Sequence, residues 1–305
     1  MQTYILDLQR LSTKDGPGIR TTVFFKGCNL SCTWCHNPES ISFEREKYWV
    51  KERCMGCLSC INECPNKAIK HNDKGIVINN DLCNFCLKCV DLCPTNAIEL
   101  KGENFSLKEL LNEIKKDKAY FDNSNGGVTL SGGEAILHTD YVLELLKALK
   151  ENDIHTALDT AGCYPYSLLQ KALPYLDLIL YDIKIYDDDL HKSFTGVSNK
   201  LILDNAKIIG KMTQPKVWVR TPIIPNATDS KQNITAIGEF IKDNMPNIEK
   251  WELVSFNNLS KNKYLLLGKQ WKHSKDELIE KKKMENLTML AKGFTDKVIW
   301  SGATK

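Results

Sequence analysis

From residue 128 onward, short apolar runs alternate with stretches whose apolar residues recur every three or four positions. The runs at 128–130, 155–158, 178–181, 216–219 and 251–254 are short and rich in β-branched and leucine side chains, which suits buried strands. Between and after them, 141–150, 166–173, 188–210, 230–243 and 277–292 carry the one-sided patterns of helices. Two earlier runs, 3–8 and 21–25, predict further strands. A helix is expected over 107–118, with Ser106 as its N-cap and Glu109 at the capping-box position. Strands and helices in alternation point to an α/β fold with a parallel sheet. Counted from 21–25 there are six strand–helix units, so the expected architecture is a partial (β/α)6 barrel of the TIM type. Each strand runs out into glycine, cysteine or polar residues, at the end where such barrels gather their chemistry.

Between about 48 and 100 the alternation stops and a repeat takes its place. The first copy is Cys54-x2-Cys57-x2-Cys60-x3-Cys64-Pro65, and the second is Cys83-x2-Cys86-x2-Cys89-x3-Cys93-Pro94. This is the bacterial ferredoxin run, in which the fourth cysteine of each copy ligates the other copy's cluster. On that pattern Cys54, Cys57, Cys60 and Cys93 hold one [4Fe–4S] cluster, and Cys83, Cys86, Cys89 and Cys64 hold the second. A four-cysteine zinc site is the other reading of each copy. The chain thus divides into 1–47, which opens the barrel, 48–100, a ferredoxin-like insertion, and 101–305, the rest of the barrel.

A third cysteine group, Cys28-x3-Cys32-x2-Cys35, follows the strand at 21–25. Three thiolates can hold three irons of a cubane and leave the fourth iron open to a ligand. A structural zinc site with His36 as fourth ligand, or thiols that only pack, are the alternatives. Eleven of the twelve cysteines lie in these three groups, a spacing suited to shared metal centres. That implies a reducing compartment, the cytoplasm. Cys163 stands alone and reads as a small buried residue. His138, His155, His191 and His273 show no ligand spacing with one another. A net charge of +3 over 305 residues gives no reason to expect nucleic acid, and Lys281-Lys282-Lys283 reads as a solvated helix face. No apolar run approaches the length of a membrane span, and the N-terminus has no basic-then-apolar signal.

The residues at the strand ends have two readings each. Glu134 follows Gly132 and Gly133, whose bare backbone lets a ligand approach closely. It either holds an ammonium group or sits solvated in a turn. Asp159 and Asp182 end successive strands, and two carboxylates near one point call for a cation or a proton between them. Lys184 can supply that charge without any ligand. Arg220 suits a carboxylate ligand or a structural ion pair.

Taken together, Asp15-Gly-Pro-Gly-Ile-Arg20, the three-cysteine loop with Trp34 before its last cysteine, Gly132-Gly133-Glu134, Asp159-Thr160 and Asp182-x-Lys184 resemble the glycyl-radical-enzyme activating enzymes. These are radical S-adenosylmethionine proteins related to the pyruvate formate-lyase activator. The insertion resembles that of the subgroup serving diol, hydroxyproline or choline lyases and arylacetate decarboxylases. The resemblance implies three [4Fe–4S] clusters, with Cys28, Cys32 and Cys35 holding the one whose open iron binds S-adenosylmethionine. It implies that Trp34 and His36 line the adenine side and that Gly132, Gly133 and Glu134 meet the methionyl amine. Asp182, Ile183, Lys184 and Arg220 would contact the cofactor, and Asp159, Thr160 and Asp182 would hold a monovalent cation. One-electron cleavage would give a 5′-deoxyadenosyl radical that takes hydrogen from a glycine of a partner glycyl radical enzyme. A flavodoxin or ferredoxin would supply the electron to a monomeric protein. In one departure, Asn257 stands where relatives commonly carry histidine. The rival expectations are a radical enzyme acting on a small molecule or peptide, and an iron–sulfur electron carrier.

Overall fold

The computed structural model describes residues 2–73, 75–79 and 81–305. The chain opens with an antiparallel pair, β1 (Ile5–Ser12) and β2 (Arg20–Phe25). The insertion comes next, with β3 (Glu46–Trp49), α1 (Ser59–Asn62), β4 (Ile69–Asn72), β5 (Gly75–Ile78), α2 (Lys88–Asp91) and β6 (Ile98–Lys101). β3 pairs with β6 as its stem, and β4 with β5 as a hairpin. α3 (Leu107–Lys115) and α4 (Lys118–Ser124) then lead to β7 (Gly127–Gly132). From there α5 (Thr139–Lys150), β8 (His155–Thr160), α6 (Tyr166–Ala172) and β9 (Leu178–Asp182) alternate. α7 (Asp188–Thr195) and α8 (Lys200–Ile209) precede β10 (Lys216–Ile223), followed by α9 (Lys231–Asn244) and β11 (Lys250–Ser255). α10 (Lys261–Leu266), α11 (Lys281–Lys292) and β12 (Val298–Ser301) complete the chain.

The main sheet is open, in the order β1-β2-β7-β8-β9-β10-β11-β12. All its pairings from β2 to β12 are parallel. Each new strand docks beside its predecessor after a helical crossover, the short connection that parallel pairing permits. Six strand–helix units run from β2 to β11, as expected, and β12 adds a strand that the short run Val298-Ile-Trp-Ser did not signal. One expected helix ends early, and the helical region over 188–210 consists of two helices. The helix over 107–118 stops at Lys115 because buried Asp117 leaves helical geometry and turns inward to Arg10 and Thr21. The helical stretches over 188–210 part at Gly196, whose φ of 82° caps α7. α4 and α10 are short and carried no periodic signal.

The two faces of the sheet differ. One packs under the helices through Leu145, Leu169, Ile202, Ile237 and Leu287, all buried. Along the other, Ala157, Leu178, Leu180 and Trp218 form a small apolar layer near the strand starts. Two residues further along the same face lie charges, with Asp182, Arg220 and Glu252 in register across β9, β10 and β11. Among the described residues no helix is long and apolar enough to cross a membrane.

Fully buried Arg20 ties the first loop to the sheet. Its Nε donates to Thr129 Oγ1 at 2.7 Å and one terminal nitrogen to the Val128 carbonyl at 2.6 Å. Thr129 in turn donates to the Asp15 carbonyl at 2.6 Å. Arg20→Met keeps the bulk and removes the donors. It is expected to cost about 2–4 kcal/mol, read as a lower urea midpoint at unchanged slope. A shift below about 0.5 kcal/mol would count against this role.

Candidate active site

The strand ends enclose a cavity of about 520 Å³, lined among others by Cys32, Trp34, Cys35, His36, Asp159, Asp182, Lys184, Arg220 and Asn257. The parallel pairing of β2 with β7 sets its floor, because it places Phe25 opposite Gly132. Beyond the strands the ladder continues, from Gly133 N–H to the Phe25 carbonyl at 2.9 Å and from Glu134 N–H to the Gly27 carbonyl at 2.8 Å. A Cβ at Gly133 would stand 2.2 Å from the Gly27 oxygen. Only glycine lets the two segments approach this closely.

The cysteine loop hangs between that ladder and α7. Cys28 N–H donates to the Ile41 carbonyl at 3.0 Å, Ser31 N–H to Thr195 at 2.8 Å and Thr33 N–H to Phe194 at 2.9 Å. Cys32 and Cys35 line the cavity, while Cys28 packs against the core behind them. Burial pushes all three thiols up, Cys35 to about 12, so they stay protonated until a metal displaces the proton. Among the described residues no three His, Cys, Asp or Glu side chains are gathered closely enough for a single metal ion. A cubane, whose sulfur ligands stand on separate irons, suits the donor set.

Next to the loop, His36 Nε2 is buried without a partner. His36 Nδ1 lies 3.4 Å from the Asn257 side-chain nitrogen, and the His36 carbonyl accepts from Ser260 at 3.2 Å. α10 carries two further contacts that the sequence reading missed: Tyr264 donates to the Cys35 carbonyl at 3.2 Å and Lys263 to Asn37 Oδ1 at 2.7 Å. Trp34, which is buried, packs beside Phe194 and His273.

The charged residues at the mouth are paired. Lys184 bonds the Asp182 carboxylate, and Arg220 lies 3.4 Å from Asp159 and 3.8 Å from Glu252. Asp159 also accepts from Ser131 at 2.7 Å. Burial opposes the charge on Lys184 most strongly, yet neighbouring Asp182 outweighs it and holds the ammonium above its usual range. Glu252, a lone charge inside the apolar run Trp251-Glu-Leu-Val, is a mouth residue whose signal in the sequence is that interruption alone.

Three expected side chains point elsewhere. Glu134 is completely buried and does not line the cavity. Its carboxylate accepts from Thr160 Oγ1 at 2.7 Å and Ala161 N–H at 2.9 Å, so the solvated-turn reading is excluded and any amine contact from this turn would be main-chain. Thr160 spends its hydroxyl there and on Tyr164, so that hydroxyl is not turned to the cavity for a cation. Ile183 packs in the core. The lone residues behave as expected: Cys163 is buried, and His138 bonds the Lys26 carbonyl at 2.5 Å.

In the insertion, one small cavity is lined by Cys54, Cys57, Cys60 and Cys93 together, without Cys64. That is the crossed grouping of the ferredoxin run. Ala68 N–H donates to Cys64 Sγ at 3.3 Å, and Ala97 N–H to Cys93 Sγ at 3.2 Å, at equivalent positions of the two copies.

Comparison with known proteins places these features in a family. The radical SAM superfamily profile matches residues 79–235, and a 4Fe-4S dicluster domain matches residues 53–97. The Cys28 loop lies on the far side of the insertion from the first match. The trans-4-hydroxy-L-proline dehydratase activating enzyme of Clostridioides difficile is 39% identical, over 98% of this chain and 99% of its own length. The (2S)-3-sulfopropanediol dehydratase activating enzyme of Klebsiella oxytoca is 37% identical, over 97% and 95%. In fold, the chain is similar to a radical SAM methyltransferase from Sphaerobacter thermophilus. The TM-score is 0.55 at 11% identity, covering 97% of this chain and 76% of that one.

Burial pushes the Glu134 carboxyl up to about 8, against about 4.3 in an unfolded chain. A raised carboxyl means that the folded state holds the proton more tightly. Its stabilising contribution is complete below the unfolded value and is lost as pH climbs toward the folded one. The metal-free protein is therefore expected to lose stability between about pH 5 and about pH 8, and Glu134→Gln to lose less. Urea midpoints across that range check this, and parallel slopes for the two proteins would refute it.

Proposed function

The chain belongs to the glycyl-radical-enzyme activating enzymes of the radical S-adenosylmethionine superfamily, and from that membership we propose that the Cys28 loop and its cavity form the site where S-adenosylmethionine is cleaved to activate a partner enzyme. The observation that carries this is one cavity lined by Cys32, Cys35 and a fixed row of charges at the strand ends. When bound, a [4Fe–4S] cluster supplies the electron that cleaves S-adenosylmethionine to methionine and a 5′-deoxyadenosyl radical, which takes hydrogen from a glycine of the partner. The chain's residues bind and orient. Cys28, Cys32 and Cys35 would hold three irons of that cluster, leaving one iron without a protein ligand for the cofactor to bind. Gly132 and Gly133 bring main-chain oxygens near the amine, while Lys184 and Arg220 set positive charge where a carboxylate comes in. Trp34 and His36 bound the adenine side. The unpartnered His36 Nε2 supports a ligand hydrogen bond there, with the Asn257 amide beside it. Asp159, Asp182 and the Thr160 carbonyl are the candidate holders of a monovalent cation.

The insertion carries two further clusters in this reading, ligated by Cys54, Cys57, Cys60 and Cys93 and by Cys83, Cys86, Cys89 and Cys64. They relay electrons from a flavodoxin or ferredoxin, and the protein works as a cytoplasmic monomer that docks transiently on a dehydratase, lyase or decarboxylase of the glycyl radical type. An electron carrier alone would have no use for the lined cavity.

The deciding experiment is anaerobic. The reconstituted protein is expected to hold about twelve irons, to form 5′-deoxyadenosine when reduced, and to place a glycyl radical signal on a cognate lyase. Twelve irons with no cleavage under any reductant would favour the carrier. Replacing Cys28, Cys32 and Cys35 by alanine should abolish cleavage and remove about four irons. Cys57→Ser with Cys86→Ser should slow turnover driven by flavodoxin, and an unchanged rate would end the relay reading.

A further inference from the structure

The two halves of the insertion are built alike, yet their surroundings differ. The cavity lined by Cys54, Cys57, Cys60 and Cys93 is otherwise bounded by uncharged residues such as Trp49, Met55, Leu92 and Ile98. The second half has a buried cation. Lys47, on β3, is only 9% exposed, and its Nζ donates to Cys89 Sγ at 3.7 Å. The same ammonium interacts with Cys83 and lies 5.0 Å from the centre of the Phe85 ring, with Arg45 at 5.2 Å from that ring. Phe85 takes a φ of 53° where the first copy has Gly56 at 74°. A bulky residue seldom adopts that backbone, and here its ring is held against two cations. The adjacent carboxylate does not cancel the charge, because Glu46 pairs with buried Lys26 at 2.9 Å. Lys26 stands two residues before Cys28, so this pairing ties β3 to the barrel, and Arg45, which reaches Phe85, also lies 5.4 Å from the Tyr4 ring beside β1.

A positive charge hydrogen-bonded to a cluster sulfur stabilises the reduced, more negative cluster and raises its potential. We propose that Lys47 splits the potentials of the two insertion clusters, making the one held by Cys64, Cys83, Cys86 and Cys89 the more readily reduced and the resting place of an electron on the barrel side. The electron comes from the external flavin or iron–sulfur carrier, which is oxidised by one electron. This rests on the cluster assignment proposed above.

The test uses the full chain with Cys28, Cys32 and Cys35 replaced by alanine, so that only the insertion clusters titrate. Redox titration followed by electron paramagnetic resonance is expected to give two separate reduction waves. Adding Lys47→Gln should move only the higher wave, lowering its reduced-to-oxidised ratio at fixed potential about tenfold, or about 59 mV for one electron. Lys47→Arg, which keeps the charge, should preserve the split. Two full clusters with waves unmoved by Lys47→Gln, or moved equally by Lys47→Arg, would overturn the role of Lys47 alone. Fewer than about eight irons in the parent variant would overturn the cluster assignment and this inference with it.

Discussion

The register of β2 against β7 is the constraint on which the site depends. With Phe25 opposite Gly132, the two chains leave the sheet side by side, and main-chain bonds carry the pairing on to Gly133, Gly27 and Glu134. The cysteine loop therefore starts from a fixed point against a backbone with no side chain in the way. Shifting that register by one residue would turn the alternate residues of β2 to the wrong face. Glu134 locks the next strand into the same arrangement, since its buried carboxylate joins the turn after β7 to Thr160 and Ala161 at the end of β8.

The charges at the mouth follow a similar logic. Burying Asp182, Arg220 and Glu252 singly would cost far more than leaving them in water. In register on three neighbouring strands, with Asp159 and Lys184 alongside, they pair with one another at the cavity wall. The apolar layer two residues earlier closes the floor beneath them. Side chains fixed in this way have little freedom left to lose to any further contact.

The insertion shows how a duplicated unit can lose its symmetry without losing its frame. Helix positions, left-handed residues and main-chain bonds to the fourth cysteines recur in both copies. The differences come from the barrel side, where β3 brings Lys47 and the preceding loop Arg45 to one copy only. A neighbour in space, absent from the repeat itself, is what distinguishes the two halves.

How much the sequence determined alone follows from the range of each interaction. The strand–helix alternation, the ferredoxin repeat and the three-cysteine loop are local patterns, set by periodicity and by ligand spacing within a few residues. They identified the fold class, the metal chemistry and the family. β12 and α10 escaped because four to six residues carry too little periodicity to stand out, and the breaks at Asp117 and Gly196 depend on partners or turns that propensity does not weigh. The side-chain directions were decided only in three dimensions. Glu134 is buried beneath the turn instead of facing the cavity, Thr160 spends its hydroxyl on it, and Lys47 meets Cys89 across 42 residues of chain. Each of these rests on which strand lies beside which, and strand neighbours are a property of the folded sheet, not of any stretch of sequence.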